Sequence, residues 1–590
     1  MHVVATAGHV DHGKSTLVAA LTGMEPDRLA EERRRGLSIE LGYVWTELAG
    51  AGQVAFVDVP GHERFVSTML AGIGPVPAAL LVVAADDPWM PQAAEHLAAL
   101  DALGVRHGVV AVTRSDLADP APAAARAAAE IARTTLAGSP VVAVSGRTGA
   151  GLDELRAALV TMVGGLPAAD PAGDVRLWVD RTFTVRGAGT VVTGTLPAGT
   201  VRRGDLLGVL SERGAGTVRV RGVQALGAER DAVSGVARVA LNLVGDGVPL
   251  LERGAALVTE HAWHATAVAD VRVAGGVDAL PERPLLHVGA VAVAVHARPL
   301  GLEAARLTLP HALPLRVGDR ALLRDPGSRR VWGLRVLDPA PPPLRRRGAS
   351  ARRAERLSGL PAEPDPAEEV RRRGLVQADL LRRIGVPVDD VPAGAIESDG
   401  WLMSAAQCAR LADEITSALA EHVRAQPLDP GIPLPALAAR LGIPSPGLVA
   451  AAVRPPLRVR AGRVEAPGSQ ALPAGVEAAV AAVENDLADA PFAAPTADRL
   501  GELRLDDRGA AAAARAGRLL RVAPGVVLLP GADVLAARWL AELPQPFTTS
   551  AARQRLGTSR RVVLPLLAHL DRAGLTSRLP DDRREVRPAR

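Results

Sequence analysis

The stretch GHVDHGKST, Gly8 to Thr16, holds the one lysine of a 590-residue chain that otherwise carries 67 arginines. A composition that writes arginine everywhere else keeps the slimmer cation here, and chance is a poor account of that. A lysine ammonium is a compact point charge on a slim stem, whereas a guanidinium is a broad planar fork. A loop wrapped tightly around phosphates admits the first and not the second. The string also fits G-x-x-x-x-G-K-[ST], in which backbone N–H groups cradle phosphates and the hydroxyl reaches Mg²⁺. On this loop the expected nucleotide contacts are Asp11, His12, Gly13, Lys14, Ser15 and Thr16.

Four further pieces follow in order. RRRGLSIELGY brings Ser38, a second hydroxyl for Mg²⁺. DVPGH, Asp58 to His62, offers a carboxylate for the metal shell and a Gly61 N–H for a γ-phosphate. TRSD, Thr113 to Asp116, and SGR, Ser145 to Arg147, each follow an apolar run. Asp116 there can accept two hydrogen bonds, from guanine N1–H and its 2-amino group, which adenine cannot supply in that arrangement. GTP is therefore favoured over ATP. Each string alone is an ordinary turn more often than a site; five in this order and spacing are specific.

The elements that position them are legible as pattern. HVVATA, VAFVDV, ALLVVAA, GVVAVT and PVVAVS are continuous apolar runs between helical segments, the mark of a parallel sheet buried on both faces. Residues 1–168 are expected to form a doubly wound α/β domain with its site at the carboxyl ends of the strands. After PAADPAGD the pattern changes to short alternating strands broken by glycines, expected as two all-β barrels over 172–262 and 263–340. Beyond the proline-rich PAPPPL, helix–turn–helix segments followed by two small strands recur at about 60-residue spacing. They read as tandem α+β winged-helix units over 345–405, 406–470, 471–530 and 531–590. Hydrophobic residues make up 48% of the chain and aromatics only 2%, so the cores must rely on Ala, Val and Leu. A single cysteine, Cys408, excludes an internal disulfide framework. Apolar stretches fall short of the roughly 20 residues that cross a bilayer, and Met1 leads straight into a strand without a signal peptide. The expectation is a soluble, cytoplasmic monomer with no membrane contact.

With these motifs in place, the first domain resembles the translational GTPases. The resemblance implies that Lys14 pairs with the β- and γ-phosphates, that Ser15 and Ser38 ligate Mg²⁺, and that Asp58 reaches the metal through water. His62 would orient the attacking water, making His62, Lys14 and Gly61 the catalytic set. Guanine would be held by Thr113, Arg114 and Asp116 with Ser145, Gly146 and Arg147. The family's guanine motif is Asn-Lys-x-Asp; Thr113 and Arg114 replace its first two residues, and Thr113 lacks the amide that ties this loop to the phosphate loop. Ser38 stands for threonine and Gly146 for alanine. No arginine finger is evident in the domain, which points to slow hydrolysis that awaits a larger partner.

A GTPase followed by two barrels is the architecture of factors resembling EF-Tu, and GAGTVVTGT, Gly187 to Thr195, is similar to their second-domain signature. Where the general elongation factor has Glu-Asp at its aminoacyl pocket, this chain has Asp180-Arg181; where that factor has asparagine, it has Arg238. Two arginines facing an amino-acid side chain favour an anionic one. Cysteine titrates near about 8.5 and selenols are more acidic, so selenocysteine fits. The bland alternative is that both arginines pair with local carboxylates such as Asp180. The pattern resembles the selenocysteine-specific elongation factors, the SelB family.

From Thr548 to Arg590 the net charge is +6, against −2 for the rest, which suggests a polyanion partner at that end. The alternative is a merely solvated terminus. Arg560, Arg561, Arg572, Arg578, Arg583 and Arg584 in the last unit are the expected RNA contacts, with the earlier units as spacers. Pro565 lies beyond the first turn if the helix begins at Arg560, and a bend or a later start is expected. The resemblance implies GTP-dependent delivery of selenocysteinyl-tRNA to the ribosome at recoded UGA codons, with the tail on the mRNA hairpin known as SECIS. Two competing readings are another EF-Tu-like or initiation-factor-like GTPase, and a nucleotide-regulated winged-helix DNA-binding protein.

Overall fold

A computed structural model describes residues 1–26, 38–74, 76–187, 189–328, 330–361, 363–429, 431–467 and 472–587. The chain divides into two compact units, 1–372 with 377–392, and 373–376 with 393–590.

In the first unit the amino-terminal sheet has six strands in the order Gly42–Leu48, Gly52–Asp58, His2–Ala7, Ala78–Ala84, His107–Thr113, Val141–Ala143. All pairings are parallel except that of the first two. Ala78–Ala84 is buried at every position, as a strand covered on both faces must be. The helices Lys14–Thr22 and Pro91–Leu103 are both ended by glycines in the left-handed region, Gly23 and Gly104, which carry no Cβ penalty there.

Two antiparallel sheets follow and curl around separate cores. The first runs Arg176–Trp178, Ala256–Thr259, Leu206–Ser211, Gly214–Ala225, Ala237–Val244, Gly189–Leu196, Arg181–Val185. The second runs Val291–Ala294, Leu285–Val288, Arg320–Arg324, Val331–Asp338, Ala265–Val273, Ala304–Pro314, His296–Leu300. Their cores are built mainly from Val, Leu and Ala, as the scarcity of aromatics required, with Trp178 and Trp332 the buried aromatics of the second.

The expected first winged-helix unit, 345–405, is divided between the two bodies. Helix Ala349–Ser358 packs on the second barrel, with Leu357 clustered against Leu300, Ala304 and Leu337. The physical reason is charge. Asp270 and Asp338 are fully buried in the barrel. Arg306 and Arg353 both contact Asp270, at 2.7 Å each, and Arg353 and Arg372 reach Asp338 at 2.5 and 2.6 Å. Removing one partner from such a set leaves an uncompensated buried charge, so the segment is held to the barrel.

In the second unit, helices Leu434–Leu441 and Pro446–Ala452 precede the hairpin Arg458–Arg460 and Arg463–Glu465. Helices Thr549–Arg555 and Arg560–Arg572 precede the hairpin Thr576–Arg578 and Arg584–Val586. Both follow the helix, turn, helix, hairpin order read from the sequence. The last helix begins at Arg560 and carries Pro565 inside it; it does not start later. Val562, Val563, Leu566, Leu567 and Leu570 are all buried, so apolar packing on both sides of the proline outweighs the hydrogen bond it cannot donate.

Candidate nucleotide site and interdomain pocket

The loops at the carboxyl ends of the parallel strands enclose a cavity of about 560 Å³. Asp11, Gly13, Lys14, Ser15, Thr16, Ser38, Gly61, Thr113, Arg114, Asp116, Ser145, Gly146 and Arg147 line it. Three expected residues lie outside its lining. His12 is 1% exposed and turns its Nε2 to Asp87 at 3.2 Å, so it shapes the loop from behind and does not face the nucleotide space. Asp58 sits beneath Ser15, and His62 is half-buried, its Nδ1 accepting the Arg64 N–H at 3.2 Å and its ring tilted against Phe65.

Lys14 is buried, and its ammonium donates to the carbonyls of His9 at 2.7 Å and Gly8 at 3.2 Å. A Cβ on Gly61 would come within 2.4 Å of both Lys14 Nζ and the Val10 nitrogen. The cradle is as narrow as the lone lysine implied. Ser15 Oγ donates to Asp58 at 2.6 Å and lies 3.0 Å from Ser38 Oγ; Thr6 holds the other Asp58 oxygen at 2.7 Å. Burial pushes the Asp58 carboxyl up, opposed by Lys14 and by the hydroxyls of Ser15 and Thr6. Two hydroxyls and a carboxylate in mutual contact are hard oxygen donors, the set that suits Mg²⁺.

The guanine end corrects one expectation. Thr113 does not lose the tie to the phosphate loop. Its hydroxyl donates to the His12 carbonyl at 2.7 Å, with the Val83 carbonyl at 3.1 Å. Arg114 adds a second tie, donating to the Asp11 carbonyl while pairing with Asp86 at 3.0 Å. The Ser145 hydroxyl holds the Asp116 carboxyl below its usual range. The sequence did not single out His96. It is fully buried, its Nδ1 accepts the Gly8 N–H at 2.9 Å, and burial, then Lys14, depress it to about 3, which keeps it a neutral acceptor. Its only signal was a polar residue on the apolar face of PQAAEHLAAL.

The aminoacyl trio also meets, though not as unpaired cations. Arg238 makes a two-pronged contact with Asp180, one prong at 2.7 Å, and stacks over the Tyr43 ring at 3.7 Å. Thr193 donates to the same Asp180 at 2.7 Å. Arg181 pairs with Glu40 at 2.7 Å and donates to the Leu41 carbonyl at 3.1 Å. Both arginines have carboxylate partners, which is the bland alternative. Arg181 borders a cavity of about 370 Å³ between the first domain and the first barrel, lined also by Asp180, Glu40, Tyr43, Thr68 and Arg253, while Arg238 lies behind Asp180 and outside that lining.

In the last winged-helix unit most of the expected arginines also have partners within the chain. Arg561 donates to the carbonyls of Gly525, Ala494 and Pro495 at 2.8–2.9 Å, joining this unit to the preceding one. Arg584 is 7% exposed and paired with Asp571 at 3.0 Å. Arg578 pairs with Asp582, Arg583 with Asp581 at 2.6 Å, and Arg572 donates to the Ala568 carbonyl at 3.3 Å. Of the six expected RNA contacts, Arg560 alone is exposed without a side-chain partner among the described residues.

Comparison with known proteins completes the picture. Residues 1–164 match the elongation factor Tu GTP binding domain, and residues 538–584 match the winged helix of elongation factor SelB. The chain thus carries an EF-Tu-type GTP-binding domain at its amino-terminal end and a winged helix of SelB type near its carboxyl-terminal end. It is 35% identical over 399 residues to the selenocysteine-specific elongation factor of Desulfomicrobium baculatum, covering 64% of this chain and 62% of that protein. It is 42% identical over 249 residues to that of Escherichia coli strain K12, covering 41% and 40%. The chain thus aligns with less than two thirds of the length of these relatives. A crystal structure of bacterial selenocysteine-specific elongation factor EF-Sec matches over 100% of both chains with a TM-score of 0.77 at 23% identity, a likeness of fold. Among the described residues no single helix is long and apolar enough to cross a membrane.

Proposed function

We propose that this chain is a selenocysteine-specific elongation factor of the SelB family, acting in the cytoplasm. It binds GTP with Mg²⁺, carries selenocysteinyl-tRNA to the ribosome at recoded UGA codons, and anchors itself to the SECIS hairpin through its carboxyl-terminal winged helices. The observation that carries the reading is the union, in one chain, of an EF-Tu-type GTP-binding domain at 1–164 and a SelB-type winged helix at 538–584.

The reaction is phosphoryl transfer to water, achieved by positioning and charge stabilisation. Lys14 neutralises the β- and γ-phosphates, and the Gly61 N–H meets the γ-phosphate. Ser15 and Ser38, with Asp58 behind them, would hold Mg²⁺, which would supply positive charge to stabilise the transferred phosphoryl group. Asp116 reads guanine, and His62 orients the attacking water. In the aminoacyl pocket the two arginines differ. The Arg181–Glu40 pair is 33% and 49% exposed, a class of ion pair worth about 0–1 kcal/mol. An anionic side chain displaces Glu40 at little cost. Arg238 stays with Asp180 and fixes the pocket wall.

The test is a competition of charged tRNAs for the GTP-bound protein, read as protection of the ester from hydrolysis. Strong protection of selenocysteinyl-tRNA with little for seryl-tRNA is expected. Equal protection of the two overturns the assignment.

A further inference from the structure

The arginines of the unit expected to be a spacer are freer than those of the tail. In the hairpin after Pro446–Ala452, Arg454, Arg458 and Arg460 are all exposed, and no ion pair or hydrogen bond engages their side chains among the described residues. Arg463 differs: it is drawn to Asp429 at 2.5 Å and to the Gly431 carbonyl. Glu465 lies opposite Arg458 in the ladder but forms no ion pair with it. The Glu465 Oε2 atom is buried without a partner.

Geometry adds to charge. The three-stranded sheet has the order Gly431–Pro433, Arg463–Glu465, Arg458–Arg460, so the arginine-bearing strand is an edge. All three of its residues are exposed. Arg458 and Arg460 are two residues apart and share a face. At about 3.3 Å per residue their Cα atoms stand about 6.6 Å apart, enough for each guanidinium to take a separate phosphate oxygen pair. Arg454, exposed as well, precedes the strand on the other side of Pro455-Pro456. A protein-binding patch would need a desolvated apolar centre; here the one exposed large apolar residue is Val459. Guanidinium forks match phosphate two-pronged, and phosphate contacts fix position without reading sequence.

We propose that this wing, Arg454 to Arg460, is a second RNA-backbone grip, separate from the last winged-helix unit. The choice of RNA over DNA rests on the translation-factor reading above; the phosphate chemistry does not. The competing account is that the arginines only keep an edge strand from pairing with another chain.

The test uses the full chain and fluorescence anisotropy with three labelled probes: an RNA hairpin of arbitrary sequence, a DNA duplex and poly-glutamate. The triple variant R454Q/R458Q/R460Q replaces exposed, unpaired side chains, and an unchanged thermal melt will confirm that it folds. RNA affinity is expected to fall about tenfold, and the slope of log K against log salt to shrink by about 1 per arginine removed. Unchanged RNA affinity and slope, or a loss seen only with DNA or only with poly-glutamate, overturns the proposal. R553Q/R560Q, at two exposed arginines of the last unit whose side chains have no partner among the described residues, separates the two grips. A loss with the wing variant alone supports the wing while counting against the tail, and a loss with the tail variant alone does the reverse.

Discussion

The Thr113 hydroxyl donates to the carbonyl of His12 at 2.7 Å, across 101 residues of sequence, and so ties the guanine loop to the phosphate loop. Both groups are buried. Thr113→Val keeps the shape and removes the donor, leaving a buried carbonyl unpaired at a cost of about 1–3 kcal/mol. Because the carbonyl belongs to the loop that wraps the phosphates, the cost is expected to appear as a roughly tenfold loss of affinity for GTP and GDP alike. Titration calorimetry reads this directly. A discrimination between the two nucleotides would show that Thr113 acts elsewhere.

Lys14→Arg tests the cradle. With Lys14 Nζ already donating to two carbonyls and Gly61 admitting no Cβ within 2.4 Å, a planar fork has no place to lie. GTP binding is expected to vanish, while binding of the full chain to an RNA hairpin stays at the wild-type level. Ordinary GTP affinity in that variant would refute the steric explanation.

The nucleotide site was largely legible because each motif sits on the end of a parallel strand, and that topology converges loops distant in sequence. Ser15, Ser38 and Asp58 could therefore be assigned to one cluster from order alone. What escaped was pairing. Arg238 and Asp180 lie 58 positions apart, and whether they touch depends on the register that sets Ala240 opposite Thr193 and Arg181 opposite Thr193. The pairing of the tail's arginines escaped for the same reason. Ten arginines against four acids gave +6, but a count cannot show that Arg561 caps carbonyls of a neighbouring unit or that Arg584 is buried on Asp571. Nor did the sequence pattern point to Arg353 and Arg372, which neutralise Asp270 and Asp338 inside the barrel.

The two pocket arginines should separate cleanly on mutation. Arg238→Ala leaves Asp180 buried without its countercharge, a loss of about 3–5 kcal/mol, and removes the cation stacked on Tyr43. It is expected to lower the stability of the first unit, seen as an earlier urea midpoint. Arg181→Ala breaks only a half-exposed pair with Glu40, so the midpoint should hardly move while preference for selenocysteinyl- over seryl-tRNA falls. If Arg181→Ala retains full preference, the selenolate partner must be sought elsewhere in the cavity.

Acid sensitivity follows from the buried histidines. Burial, then Lys14, depress His96 to about 3; burial, then Arg324, depress His287 to about 4. An unfolded histidine titrates near 6.5, so as pH falls below 6.5 the unfolded chain takes up protons that the folded chain refuses. Stability is then complete above about 6.5 and falls on acidification, by about 1.4 kcal/mol per pH unit for each histidine. His287 stops contributing near about 4 and His96 near about 3. His9 and His12, also lowered by burial, act in the same direction. Urea unfolding followed by tryptophan fluorescence is expected to show this decline between pH 6.5 and about 4. His96→Gln supplies an amide oxygen to the Gly8 N–H and cannot be protonated, so it should flatten the slope by one histidine's share while preserving GTP binding. An unaltered slope would mean that His96 is protonated in the folded chain, and its Nδ1 could not then accept the Gly8 N–H that opens the phosphate loop.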